Sequence, residues 1–241
     1  MKVAVITPYA DEPLEWLHQC HQSVRTQRHP ATHYLIADGE SRELGGWFSG
    51  KNMVLPTRSA DAGHTPRLVG CMAAIGRGFD AVAFLDADNW YQPEHIDSLV
   101  GLHHESGAPV CTSLRSLHDL EGVRLGVCGN SDGVEFSDTN CCFLSVSFLA
   151  QNWSLVEMPD WAGYIGDRII WQRIRNRAIP TSHSGVASIC YRTKFSGHYQ
   201  AFGVQPPASL GARSLRIENA LDRWRQECGN DLSFKVRVVP D

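Results

Sequence analysis

The apolar positions of this chain change their period several times along its length. Val3 to Thr7 is a short apolar and β-rich run, and after the polar turn YADEP the residues Leu14, Leu17, Cys20 and Val24 recur at helical spacing. This predicts a strand followed by a helix. His33 to Ala37 predicts a second strand ending at Asp38-Gly39, and Met53 to Leu55 a short third, with a loop around Trp47 and Lys51 between them. Residues 66–78 read as a helix with Leu68, Met72 and Ile75 on one face, feeding the core strand AVAFL. That strand runs into FLDADNWYQPEHI, residues 84–96, where Pro93 opens a further helix.

Asp86 and Asp88 therefore stand at the end of a buried strand. Side chains two apart on extended backbone share a face. Two anions held together at a sheet edge repel and are costly to desolvate, so a divalent cation or hydrogen-bond donors must neutralise them. Beyond His95 the pattern predicts a helix near 94–104, a strand near 109–114, a Gly- and Asp-rich segment at 129–139, and a strand leading into a helix in CCFLSVSFL. The segment EMPDWAGYIGD, residues 157–167, is a turn-rich loop before the amphipathic helix RIIWQRIRNR. FSGHYQAFGVQPPASLGA reads as irregular, and a helix near 213–227 precedes a tail strand, FKVRVV. Alternating β and α elements predict an α/β fold with a mainly parallel sheet. Ligands bind such sheets outside the carboxyl ends of the strands, where Thr7, Asp38 and Asp86 to Asp88 all fall.

Composition narrows the picture. With 241 residues, 43% hydrophobic and 20% charged, the chain suits one globular domain, alone or with an appended arm. A net charge of -4 without a basic run argues against a nucleic-acid partner. MKVAVITPYA enters a strand at once, without the apolar region of a signal peptide, and no stretch reaches membrane-spanning length. Eight cysteines without CxxC spacing suit reduced thiols in a cytoplasm and no zinc site.

The order ITPYADEP, LIADGES, DAGHTPRLVG, FLDADNWYQPEHI and IGDRIIWQR resembles the GT-A fold glycosyltransferases of the large family-two, inverting type, over about residues 3–177. The resemblance implies a Rossmann-like nucleotide-diphospho-sugar transferase fold. It divides the chain into a catalytic domain at 1–205, with a nucleotide half (1–105) and an acceptor half (106–205), and a C-terminal helix and tail strand at 206–241. The implied reaction moves a sugar from a nucleotide-diphosphate donor, a UDP-sugar favoured, to an acceptor hydroxyl with inversion. The acceptor is a glycan, a lipid-linked molecule or a small molecule.

The resemblance also implies roles. Thr7, Pro8 and Tyr9 line the base pocket, and Asp38 accepts the imide hydrogen of uracil; locally, Asp38 reads equally well as a turn former before Gly39. Arg67 faces the base or the phosphates at a helix start, with a solvated helix residue as its plain reading. In the Asp86-Ala87-Asp88 turn, Asp88 ligates Mn²⁺ or Mg²⁺ and Asp86 holds the ribose or a metal-bound water, oxygen ligands that suit a hard ion and a diphosphate. The structural alternative is a helix cap made by Asp88 or Asn89. His198 is the best candidate for a third metal ligand and His183 the second, although a lone His is more often structural. Asp167 matches the general base of the family's Glu-Asp pair, with Gly166 where Glu often stands, and also reads as a helix N-cap. Trp161 and Tyr164 either stack on a sugar ring or pack the loop down. Two other classes remain: a sugar-phosphate nucleotidyltransferase, although ITPYADEP lacks a Gly-rich phosphate loop, and a non-catalytic nucleotide-binding relative.

Overall fold

All seven residues of β1 (Val3–Tyr9) are buried. Such a strand needs cover on both faces. Its alternate side chains separate into two cores: Ala4 and Ile6 pack on one side of the sheet, Val3 and Val5 on the other. β4 (Ala81–Phe84) divides the same way, with Val82 and Phe84 joining the first core and Ala81 and Ala83 the second. Helix α1 (Leu14–Arg25) covers the second core with Cys20 and Val24, and α3 (His95–Ser106) adds Ile96 and Leu99. Helix α2 (His64–Gly76) covers the first with Cys71 and Ala74.

The computed structural model describes residues 1–239, the side chains of 211–214 excepted. β2 (Ala31–Ala37) and β3 (Lys51–Val54) extend the sheet in parallel on one side of β1, and β4 joins it in parallel on the other. The strand order thus reverses at β1, which opens a crevice at the carboxyl ends of β1 and β4. β8 (Cys142–Ser145), β6 (Val110–His118) and β7 (Arg124–Cys128) follow in antiparallel order. The longest second-half ladder is again parallel: β9 (Thr181–Arg192) follows β6 from Val110↔Thr181 to His118↔Arg192, with register shifts around Leu114. The short β5 (Trp90–Tyr91) pairs with β9, and β10 (Val238–Val239) closes the far edge on β7. The result is the expected α/β architecture, a mostly parallel sheet flanked by helices.

After β8 the chain makes the short helix α4 (Val146–Leu149), as CCFLSVSFL predicts, then α5 (Gly166–Asn176), which adds Trp171 and Ile174 to the first core. Helix α6 (Ser196–Ala201) is followed by α7 (Gly211–Cys228), whose Ala220 and Trp224 pack on the turn at 160–165.

Several expectations change. The buried face of α2 is Pro66, Gly70, Cys71 and Ala74, while Met72 is exposed. Gly70 must face inward, because a β-carbon there would press on the Ile6 side chain, so the helix lies closer to the sheet than a Leu/Met/Ile face permits. Helix α3 starts at His95, two residues past Pro93, with Glu94 rather than Asp88 or Asn89 at its cap position. The tail strand shrinks to Val238–Val239, and SGHYQA is helical. Twelve-residue β9 carries no apolar alternation at its start, where His183 and Ser184 are half-buried, and the hydrophobic pattern passes over it. Among the described residues no helix is long and apolar enough to cross a membrane.

Candidate functional site

At the carboxyl ends of β1 and β4 the chain must turn while the sheet stays covered, so the turns carry the polar groups. They line a crevice of about 360 Å³ that includes Pro8, Tyr9, Asp38, Asp86, Ala87 and Asp88. Arg58, Lys194 and Arg216 line this crevice beside Glu12 and the aspartates. A second cavity of about 110 Å³ adjoins it, lined by Arg67, Arg115, Asp138, Asp167 and His198 among others. Asp86, Tyr164 and Ala62 border both spaces. The structure therefore gathers residues from the first strand, the Asp86–Asp88 turn and the Asp167 helix around one continuous opening.

The two aspartates are neutralised by the chain itself. Asp86 pairs with Arg67 and accepts a hydrogen bond from Asn140 Nδ2 at 3.0 Å, while its own backbone N–H donates to Asn140 Oδ1 at 2.6 Å. Asp88 Oδ2 lies 2.6 Å from Lys194 Nζ. Asn140 also donates to Asp138 Oδ1 at 2.7 Å, and Asp138 pairs with the buried Arg115. Two ion pairs, Arg67–Asp86 and Asp138–Arg115, are thus joined through the Asn140 amide, and the network fixes the turn. Pattern reading missed Arg115, Asp138, Asn140 and Lys194. The Gly- and Asp-rich tract that ends at Asp138-Thr139-Asn140 was visible, but nothing in it indicates which of its acids turns inward.

Asp167, in the first turn of α5, accepts a hydrogen bond from Arg168 N at 2.8 Å. Burial pushes its carboxyl up from the ordinary range to about 6, and the nearby Asp138 charge adds to the rise. Gly166 leaves no room for a side chain. A β-carbon at this position would overlap the His64 ring, whose Nε2 lies 3.1 Å from the Gly163 carbonyl. The space in front of Gly166 is filled by a neutral imidazole, its pKa lowered to about 4 by burial and by Arg67.

The remaining expected residues divide. Tyr9 lines the crevice and donates its hydroxyl to Asn52 Oδ1 at 3.0 Å, while Ala87 packs its methyl among Tyr9, Leu17 and Leu35. Thr7 does not line the crevice: it is fully buried, its hydroxyl 2.8 Å from His33 Nε2. Asp38 lies on the crevice wall, but its carboxylate accepts from Ser59 N, Ser59 Oγ and Ala60 N at 2.7, 2.8 and 3.0 Å. Those bonds occupy most of its acceptor sites and hold the loop where Ala60, Ala62 and Gly63 adopt positive φ. Gly63 is required there, since a β-carbon would meet Pro8 at 2.9 Å. Arg67 borders the second cavity rather than this crevice; it pairs with Asp86, and its Nη1 donates to the Ala62 carbonyl at 3.1 Å.

The two histidines expected as a third metal ligand, His198 and His183, each have a threonine partner. His198 lies in the second cavity, its Nδ1 2.7 Å from Thr193 Oγ1 and its pKa well below the ordinary value through burial. His183 Nδ1 lies 2.8 Å from Thr112 Oγ1 and lines neither space. No group of three His, Cys, Asp or Glu side chains able to hold a metal forms among the described residues. The donor set left is Asp86 and Asp88, two carboxylates on one crevice wall. They fit a hard divalent ion whose other positions come from phosphate oxygens and water. The two aromatics of the 157–167 loop separate as well. Trp161 packs against α7, with the Arg223 guanidinium 4.2 Å from its ring centroid, whereas Tyr164 faces both cavities and accepts from Arg216 Nη1 at 2.8 Å.

No protein-family model matches the chain, and neither does any curated protein. Solved structures do match its fold. The S. aureus TarS 1-349 structure in complex with UDP superposes with a TM-score of 0.62 at 16% identity, covering 94% of this chain and 72% of that one. The same fragment in complex with UDP-GlcNAc gives 0.63 at 14% identity, covering 94% and 73%. A longer TarS structure gives 0.63 at 14% identity, with 44% of its length covered. The chain therefore shares the TarS fold.

Proposed function

We propose that this protein is a glycosyltransferase that moves a sugar from a nucleotide-diphosphate donor to an acceptor hydroxyl. The observation that carries the reading is the position of Asp86, where the crevice lined by Tyr9 and Asp88 meets the cavity that holds Asp167. A donor lying in the crevice presents its anomeric carbon at that junction, with the leaving diphosphate on the Asp88 side and an acceptor on the Asp167 side. The TarS structures with UDP and UDP-GlcNAc support a UDP-sugar as donor. The cationic side chains of Arg58, Lys194 and Arg216 in the crevice support a diphosphate.

In this mechanism Asp167 removes the acceptor proton as the oxygen attacks. Its raised pKa suits a base that works near neutral pH. Attack from the side opposite the diphosphate inverts the anomeric centre. Asp86 and Asp88 would hold Mn²⁺ or Mg²⁺, which would supply positive charge to the departing diphosphate. Tyr164, between the two spaces, offers a ring face to the sugar. The eight free cysteines, seven of them buried, support a reducing cytoplasm as the place of work.

The test is calorimetry with UDP, UDP-sugars and GDP, each with Mn²⁺ and in EDTA, followed by product analysis. Tighter binding of UDP than GDP, dependent on Mn²⁺ and on Asp88, and a β-linked product from an α-linked donor are expected. UDP binding of equal strength in EDTA removes the metal from this reading, and failure of every nucleotide diphosphate to bind removes the donor.

A further inference from the structure

Lys194 enters the crevice two residues after β9 ends. Its Nζ lies 2.6 Å from Asp88 Oδ2, and the two side chains are 25% and 14% exposed. The segment that carries it is anchored on both sides. Arg192 Nη1 donates to the Asp88 carbonyl, its Nη2 donates to Gln19 Oε1 at 3.0 Å, and Thr193 is held to His198. Trp16 flanks the ammonium, with its ring centroid 5.2 Å from Nζ. Lys194 is thus a long, jointed side chain on a fixed base, with one end on the carboxylate that a divalent ion needs.

An ammonium and a divalent cation cannot share that oxygen face without strong repulsion at contact distance. For an ion to reach Asp88, Lys194 must leave, and a partly buried ammonium is better placed against another anion than left without one. A diphosphate in the same crevice supplies one. Lys has the flexible stem and rotatable donors for such an exchange, which the paired, bordering Arg67 lacks.

Resting on the donor-binding reading above, we infer that Lys194 is a positioning residue that neutralises Asp88 while the crevice is empty and transfers to the diphosphate when donor and divalent ion load together. Metal and nucleotide then bind with positive coupling: the ion binds weakly alone, because it must displace Lys194, and tightly once the diphosphate has taken that side chain. Coupling of this kind is reciprocal and commonly amounts to ~5- to 150-fold.

The experiment measures Mn²⁺ binding by the paramagnetic resonance of the free ion, with and without UDP, in wild type, Lys194→Met and Lys194→Arg. The methionine keeps the stem and removes the charge. Lys194→Met is expected to bind Mn²⁺ alone about tenfold more tightly than wild type, and UDP at saturating Mn²⁺ about tenfold more weakly. The mutual enhancement of Mn²⁺ and UDP should shrink to the part carried by direct contact between ion and diphosphate, and Lys194→Arg should retain it in full. A merely structural lysine would weaken both ligands together, so the opposite signs are diagnostic. Equal Mn²⁺ affinity in wild type and Lys194→Met overturns the inference while leaving donor binding intact. Tighter Mn²⁺ with unchanged UDP affinity overturns the transfer to the diphosphate. If UDP binds none of the three proteins at any Mn²⁺ concentration, the donor reading falls and this inference falls with it.

Discussion

The acids on the two sides of Asp86 are treated in opposite ways. Asp86 and Asp88 each face a cation at contact distance, from Arg67 and Lys194, and Asn140 braces their turn. Asp167 is sheltered in the second cavity, and burial together with Asp138 raises its pKa. Asp86 and Asp88 are held by contacting counter-charges. At Asp167 burial outweighs the Arg168 and Arg115 charges that act on it, and proton affinity rises as the charged form is destabilised. The proposed mechanism uses this contrast, with ion holding on one side and proton transfer on the other.

The largest expected effect breaks the proton-transfer side. Asp167→Asn should lower the transfer rate by ~10² to 10⁴ while leaving UDP affinity nearly untouched, because a base acts only during transfer. Steady-state kinetics with calorimetry on the same variant checks this, and near wild-type turnover would exclude Asp167 as the base. The second prediction concerns the Asp138–Arg115 pair. Asp138→Ala leaves Arg115 buried with no counter-ion, which should cost about 3–5 kcal/mol of stability, read as a fall in urea midpoint.

Third, Gly166→Glu meets the His64 ring and should destabilise by about 1–3 kcal/mol. His64→Ala should recover most of that loss in the double variant, as expected for residues that share one space. Additive losses would show that His64 is not what fills the position.

The smallest effect is a pH signature. Asp167 has a folded pKa of about 6 against an ordinary 3.8, so the fold favours its protonated form. Its contribution to stability is therefore fully present below the ordinary value and is lost as pH rises through about 6. Activity moves the other way, since the base must be deprotonated. The profile of kcat/KM should rise with an inflection near 6, and melting curves should lose the corresponding slope in Asp167→Asn. His64, lowered to about 4, adds an opposite stability loss as pH falls from the ordinary histidine value towards 4.

Much of the first half was legible because its signals are local. Val3 to Thr7, His33 to Ala37 and AVAFL are continuous apolar runs, and a strand buried on both faces must look that way. The second half was less legible. β9 begins with half-buried polar residues and is a strand because β6 accepts it, a decision made by pairing rather than propensity. The face of α2 was misread because Gly70 permits a closer approach than its larger apolar neighbours suggest.

By itself, the sequence determined the alternation of strands and helices and the presence of acids at the end of β4 and the start of α5. It did so because backbone periodicity and strand ends are properties of neighbouring residues. It could not decide where each charge finds its partner. Arg67 with Asp86, Arg115 with Asp138 and Lys194 with Asp88 join positions 19, 23 and 106 residues apart in the chain. That Asp38 also clamps the loop at 59–60, and that His198 pairs with Thr193, were hidden for the same reason. A side chain's chemistry is fixed by its type, but its task depends on distance, burial and counter-charge, and only the tertiary structure sets those.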